Sequence, residues 1–239
     1  MRSVVKLICY ISLLFYCLSH NVIAVEMKGL YEIQVPYDTV SFRSSKAAQK
    51  LALSKVLVRL IGPKKGVIDN LIRDYFPDPS RFIRQFEPHQ NGDLIVSMDG
   101  DAIQQILLQT DNSVWGTERP LTLLLIAIDE GMGERVVLTS DGFEREWQGS
   151  TNIEKYRVMK QKMTLIANLR GIPIIFPKMD VQDQSIVDYS DIWGDFFKNM
   201  NILSQRYEST VILTGKIRQD ELEQNSWVLN IGNEITRFR

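Results

Sequence analysis

The 239-residue chain is poor in reactive side chains, with two cysteines and two histidines, and it carries no excess of positive charge. Two cysteines cannot build a disulfide scaffold or a four-thiolate zinc site. A formal charge of −1, from 28 basic and 29 acidic residues, removes the broad basic field on which non-specific nucleic-acid binding depends. No apolar run reaches the ~20 residues that a permanent membrane-spanning helix needs. Internal repeats and low-complexity tracts are absent too. What is present is ordinary globular material, 44% hydrophobic and 24% charged, in a length that allows one or two domains with real cores.

The amino terminus reads as a secretory signal peptide over residues 1–24. Arg2 and Lys6 give a positive start, Leu7 to Leu18 is apolar, and Val22-Ile23-Ala24 supplies a cleavage site after Ala24. An uncleaved leader, anchoring the protein in the inner membrane, is the alternative. Cys9, Cys17 and His20 all lie inside the leader. Its loss moves the formal charge from −1 to −3 and leaves His89 as the single histidine. Thiol nucleophiles, disulfides and multi-histidine metal sites are thereby excluded from the mature chain. The expected location is the periplasm.

Two units follow. In residues 25–112, Leu30 to Val35 alternates like a half-buried strand, and Ser44 to Ile61 repeats apolar residues at helical spacing until Gly62-Pro63. A short helix over Gly66 to Tyr75 and strands near Phe82 to Glu87 and Leu94 to Met98 come next. Asp99-Gly100-Asp101 then caps a last helix. The order predicts a small antiparallel sheet covered by helices, an α+β unit. Residues 113–120 form a linker.

In residues 121–239, the run Leu121 to Ile128 predicts a strand buried on both faces. A loop at Asp129 to Glu134 and a short strand at Arg135 to Thr139 follow, then an exposed loop from Ser140 to Gly149. A helix over Ile153 to Leu169 should bury Tyr156, Met159, Met163 and Ile166. A strand near Ile172 to Phe176 precedes a helix over Ile192 to Tyr207 that should bury Ile192, Phe196, Met200 and Leu203. Strands at Thr210 to Lys216 and Ser226 to Ile231 complete a three-layer α/β unit with a mixed sheet.

Candidate chemistry is sparse. Asp180, Asp183, Asp188, Asp191 and Asp195 could gather around a hard cation, but their spacing matches no EF-hand loop. Helix capping by Asp188, Ser190 or Asp191, with Asp183 in a solvated loop, is the better reading. Asp129-Glu130, with Gly131 and Gly133, stands where α/β proteins place functional loops, yet a turn between two strands explains the glycines. His89, flanked by Pro88 and Gln90, reads as a surface loop residue. Trp115 and Trp193 are either exposed anchors or seals of a junction. Arg119 is placed to pair with Asp195 or Asp191. No catalytic, cofactor-binding or metal-ligating residue emerges. Trp115, Arg119, Asp129, Asp180, Trp193 and Asp195 remain as interaction or junction candidates.

Several motifs, taken in order, resemble a bacterial family catalogued as domain of unknown function 2066. They include Val35-Pro36, the helix end Lys55-Val56-Leu57-Val58-Arg59-Leu60-Ile61-Gly62, and Trp115-Gly116-Thr117-Glu118-Arg119-Pro120-Leu121. Ala127-Ile128-Asp129, Gly171-Ile172-Pro173 and Trp193-Gly194-Asp195-Phe196 continue the series, as do Ser204-Gln205-Arg206-Tyr207 and Leu213-Thr214-Gly215-Lys216. The resemblance implies a secreted envelope protein of Gram-negative bacteria with no assigned reaction. Family members carry a further helix beyond the last strand, and the segment 233–239 lacks it. The element order of the second unit also resembles the amino-terminal domain of TolB, an analogy of fold alone. The sequence therefore predicts a non-catalytic envelope factor that binds another envelope protein, without cofactor, nucleic acid or permanent membrane span. The alternative is a hydrolase acting on envelope polymers through paired carboxylates.

Overall fold

A computed structural model describes residues 24–141, 153–218, 225–232 and 234–238. The leader up to residue 23 and most of the loop expected over 140–149 lie outside the described residues.

The first unit begins with β1 (Ala24–Glu26) and β2 (Glu32–Val35), in which Ile33 and Val35 face the core and Glu32 and Gln34 face out. Helix α1 (Thr39–Ser44) starts where the Asp38 carboxylate accepts hydrogen bonds from the backbone N–H groups of Val40 and Ser41. Its six residues are too few to show a period, so only the Asp38 cap announces it. Helix α2 (Lys46–Ile61) is capped by Ser45 and buries Ala48, Ala52, Leu53, Val56, Leu57 and Leu60 on one stripe. Gly62, at a φ of 83°, and Pro63 end it. Helix α3 (Lys65–Tyr75) and a 3-10 turn at Pro79–Phe82 lead into β3 (Ile83–Pro88) and β4 (Leu94–Met98). Asp99 caps α4 (Gly100–Leu107) through Ala102 N–H, and it pairs with Arg84 at 3.0 Å. The sheet is antiparallel in the order β2-β4-β3. His89 is exposed in the β3–β4 turn, its ring against the Asn91 side chain.

The segment expected to be a linker is itself structured. Its end forms β5 (Glu118–Pro120), which pairs antiparallel with β1, so the first unit's two ends lie side by side.

The second unit is built on β6 (Thr122–Gly131), buried from Thr122 through Ile128. Alternate residues serve opposite layers. Leu123, Leu125 and Ala127 pack with Val137, Ile192, Met200 and Leu203, whereas Leu124, Ile126 and Ile128 pack with Val136, Leu138, Tyr156 and Phe176. The sheet runs β11-β10-β9-β6-β7, with β8 also beside β6. In it β9 (Val211–Arg218) and β8 (Ile174–Ile175) are parallel to β6, and β7 (Glu134–Val137) is antiparallel. Next come β10 (Ser226–Ile231) and the edge strand β11 (Glu234–Phe238), both antiparallel. Helix α5 (Ile153–Arg170) covers one face; α6 (Val181–Gln184), α7 (Tyr189–Trp193) and α8 (Phe197–Arg206) cover the other. This is the expected mixed α+β architecture with a larger, mixed sheet. Among the described residues no helix is long and apolar enough to cross a membrane.

Two expectations need correction. Ile166 is exposed, because at about 100° per residue it falls some 80° from Tyr156, while Ala167 falls within about 20° and is buried in its place. The helix expected over 192–207 breaks at Gly194-Asp195, where Asp195 adopts a φ of 59°. That break shifts the phase and leaves Phe196 57% exposed instead of in the core. Beyond Ile231 the chain adds β11, a strand and not a helix, and this is the edge of the sheet.

Candidate functional site

The acidic loop is a set of helix caps and ion pairs. Asp180 caps α6 by accepting from Asp183 N–H and receives both ends of the Arg206 guanidinium at 2.6 Å. This holds the Asp180 carboxyl well below the usual carboxylate range, with Arg206 the main cause and the backbone next. Asp183 is not in a solvated loop but fully buried, where it accepts from Met179 N–H, the Tyr207 hydroxyl and Arg206. Those donors replace the water it loses, which is why the carboxylate tolerates the interior. Burial, then the hydrogen bond to Asp183, pushes the Tyr207 phenol up to about 12. Asp188 and Asp191 form a reciprocal capping box on α7, and Asp191 also accepts from Asn199 Nδ2 at 2.8 Å. Among the described residues no group of three potential ligands is arranged to hold a metal ion.

The structure brings Asp129, Trp193 and Asp195 to one surface, at the carboxyl ends of the parallel strands β6 and β9. Tyr189 and Trp193, one helical turn apart on α7, stack at 5.3 Å between ring centroids. The Arg135 guanidinium from β7 lies 5.4 Å from the Tyr189 ring, and that of Arg218 from β9 lies 5.5 Å from the Trp193 ring. Lys216 on β9 pairs with Asp195 at 2.9 Å, and Arg237 on β11 adds a second cation at 3.9 Å while lying 6.0 Å from Phe197. Phe196 stands exposed beside them. Burial, with the Asp129 carboxylate adding to it, pushes the Tyr189 phenol up to about 12. Asp129 also accepts from Gly131 N–H at 3.0 Å, and Gly131, Met132 and Gly133 all have positive φ, so the glycines serve the β6–β7 turn. Arg135 and Arg218 escape a sequence reading because strand ends carry no periodic signal. The Tyr189–Trp193 spacing becomes informative only once Asp188 is set as the cap.

Trp115 and Arg119 lie elsewhere, at the junction of the two units. Arg119 does not pair with Asp195 or Asp191. It sits before β6, whereas Asp195 is held at Lys216, opposite Ala127, which lies five residues, or about 17 Å, beyond the start of that strand. Its guanidinium is fully buried and, among the described residues, donates to backbone carbonyls, those of Arg59, Trp115, Gly116, Arg170 and Gly171. The geometry explains the choice. Arg59 C=O would normally accept from residue 63 in α2, but Pro63 has no N–H. Arg170 and Gly171 end α5. Arg119 thus bridges the carboxyl ends of one helix from each unit, and two helix ends of about half a charge each supply roughly one countercharge. The Trp115 ring lies under the guanidinium at 4.2 Å, and the Trp115 backbone N–H donates to Leu60 C=O at 2.7 Å.

No curated protein and no solved structure matches this chain. A family described as a domain of unknown function (DUF8605) matches residues 24–116, the stretch that runs from β1 to just before β5.

Proposed function

We propose that this is a periplasmic, non-catalytic envelope factor that binds another envelope protein through the surface at the carboxyl ends of β6 and β9. The observation that carries this reading is the stacked, partly exposed Tyr189–Trp193 pair with arginines against both rings. Aromatic and arginine side chains dominate the energetic centres of protein interfaces, because they bury much area at little entropic cost. The exposed Arg135 guanidinium, held beside the Tyr189 ring, has the planar N–H fork that suits a partner's carboxylate. Export is supported by the leader pattern. A cut after Ala24 would leave Val25 and Glu26 to pair with β5. The motif series resembling domain of unknown function 2066 supports the same envelope setting.

The test is proximity labelling in the native periplasm, comparing wild type with Arg135→Glu/Arg218→Glu. An envelope protein enriched by wild type and lost in the variant is the expected result. Absence of any enriched envelope protein, or enrichment unchanged by the variant, overturns the reading.

A further inference from the structure

Helix α5 carries charge of one sign over most of its length. From Lys155 to Arg170 it holds Lys155, Arg157, Lys160, Lys162 and Arg170 and no acid, in a chain whose formal charge is −1. It is also apolar on two sides. Tyr156, Met159 and Met163 pack against the sheet. On the outer side Leu165, Ile166 and Leu169 are 58%, 59% and 41% exposed. With Lys162 these three fall within about 100° of arc, at about 100° per residue. A surface helix ordinarily keeps its apolar residues on the one stripe that faces the core, so a second stripe left in water marks a face that something covers. The nearby cations differ in how they are engaged. Lys155 pairs with Glu130 at 3.7 Å, Arg157 pairs with Glu154 at 2.5 Å, and Lys160 donates to Ser140 C=O. Lys162 and Lys28, both exposed, pair with no carboxylate among the described residues. Lys28 and Met27 line one groove with Leu165 and Leu169, while the groove's acids, Glu32 and Asp93, stand on its first-unit wall with Lys55 and Arg59.

We infer that the outer face of α5 docks on an anionic phospholipid surface. Leu165, Ile166 and Leu169 enter the boundary between headgroups and acyl chains, and Lys162 and Lys28 meet the headgroup phosphates. A basic helix with an apolar stripe has the composition of a segment that lies in a membrane interface, and each lysine near an anionic surface adds to the attraction. A second copy fits the charge poorly, since it would set these cations against the same cations with no acid between them. The chain's own path favours lipid over an acidic protein. The apolar run of the leader ends at Leu18, and Lys28 follows ten residues later, so the groove lies at most about 35 Å from a bilayer that holds the leader. The inference takes its setting from the leader and does not depend on the surface at the ends of β6 and β9.

The test is flotation of the chain from Val25 onward with vesicles of phosphatidylcholine, either pure or mixed in equal parts with phosphatidylglycerol. Binding to the mixed vesicles is expected to be at least about tenfold tighter than to the pure ones. Leu165→Ser/Ile166→Ser should weaken it by about tenfold or more. The melting temperature of that variant should stay near that of wild type, because both side chains are mostly exposed. Lys28→Glu/Lys162→Glu should erase the preference for the mixed vesicles. The leader is left out of the assay, so a failure of the export reading and a failure of the lipid reading are told apart. No binding to the mixed vesicles, equal binding to both kinds, or binding unchanged by both variants overturns the inference. A dimer in solution, seen by light scattering and split by Leu165→Ser/Ile166→Ser, gives the face to a second copy and overturns it as well.

Discussion

Replacing Arg119 by methionine keeps the volume of the side chain's stem and removes its five donated hydrogen bonds. The carbonyls of Trp115 and Gly116 lie in an exposed segment and can take water instead. That of Arg59 has lost its helical donor to Pro63, and that of Gly171 belongs to a buried residue, so neither is easily rehydrated. Each such orphan costs about 1–3 kcal/mol. Loss of the cation against Trp115 adds about 1 kcal/mol. Relief from burying the guanidinium offsets part of this, since what remains behind are dipoles and not a buried charge. The net expectation is a destabilisation of about 3 kcal/mol, or a fall in melting temperature of roughly 6–12 °C for a chain of this size. Arg119→Lys keeps the charge between the two helix ends but loses the fork, and should cost about half as much. Thermal and urea unfolding followed by circular dichroism reads both. A methionine variant melting within about 1 °C of wild type would refute the bridging role.

Gly171→Ala should cost about 2–4 kcal/mol, because the residue has a φ of 65° and a Cβ there meets the Arg119 guanidinium and the Leu30 side chain. The two changes address one contact, so a double-mutant cycle with Arg119→Met should show the alanine costing less in the second background. Asp180 titrates below its ordinary 3.8, so the stability it contributes is whole above that value and is lost as pH falls further. The urea midpoint of Asp180→Asn should therefore decline less than that of wild type between about pH 5 and pH 2. Tyr189 and Tyr207 ionise near 12 when folded, against 10 when exposed, so their contribution is complete below 10 and disappears between 10 and 12. Ultraviolet titration should find both among the late phenols, and Tyr207→Phe should remove one of them.

Wherever pattern and burial coincide, the fold was legible. Residues 121–128 announced a strand covered on both sides, and β6 is one. The Gly62-Pro63 stop and the Asp99 and Asp188 caps were legible because each satisfies backbone groups within a few residues. Contacts across long separations were not. Arg119 meets Arg59 across 60 positions and Gly171 across 52, and nothing in either neighbourhood marks a carbonyl as lacking a donor except Pro63. Asp183 looked solvated because Arg206 and Tyr207, which enclose it, are more than twenty residues away. Of the six candidate residues, Asp129, Trp193 and Asp195 share a surface, Trp115 and Arg119 share the junction, and Asp180 serves a helix cap.

The pairing of β1 with β5 has a consequence for how such a chain is put together. A segment whose first and last residues are hydrogen-bonded neighbours is a closed loop, and it can be joined to a different companion without reshaping its own interior. The span matched by the family description begins at the first of those strands and stops two residues short of the second. The short ribbon therefore ties the chain's entry into the first unit to its exit toward β6. Arg119 lies within that ribbon, so the strand pair that closes the first unit also carries the side chain that reaches the end of α5.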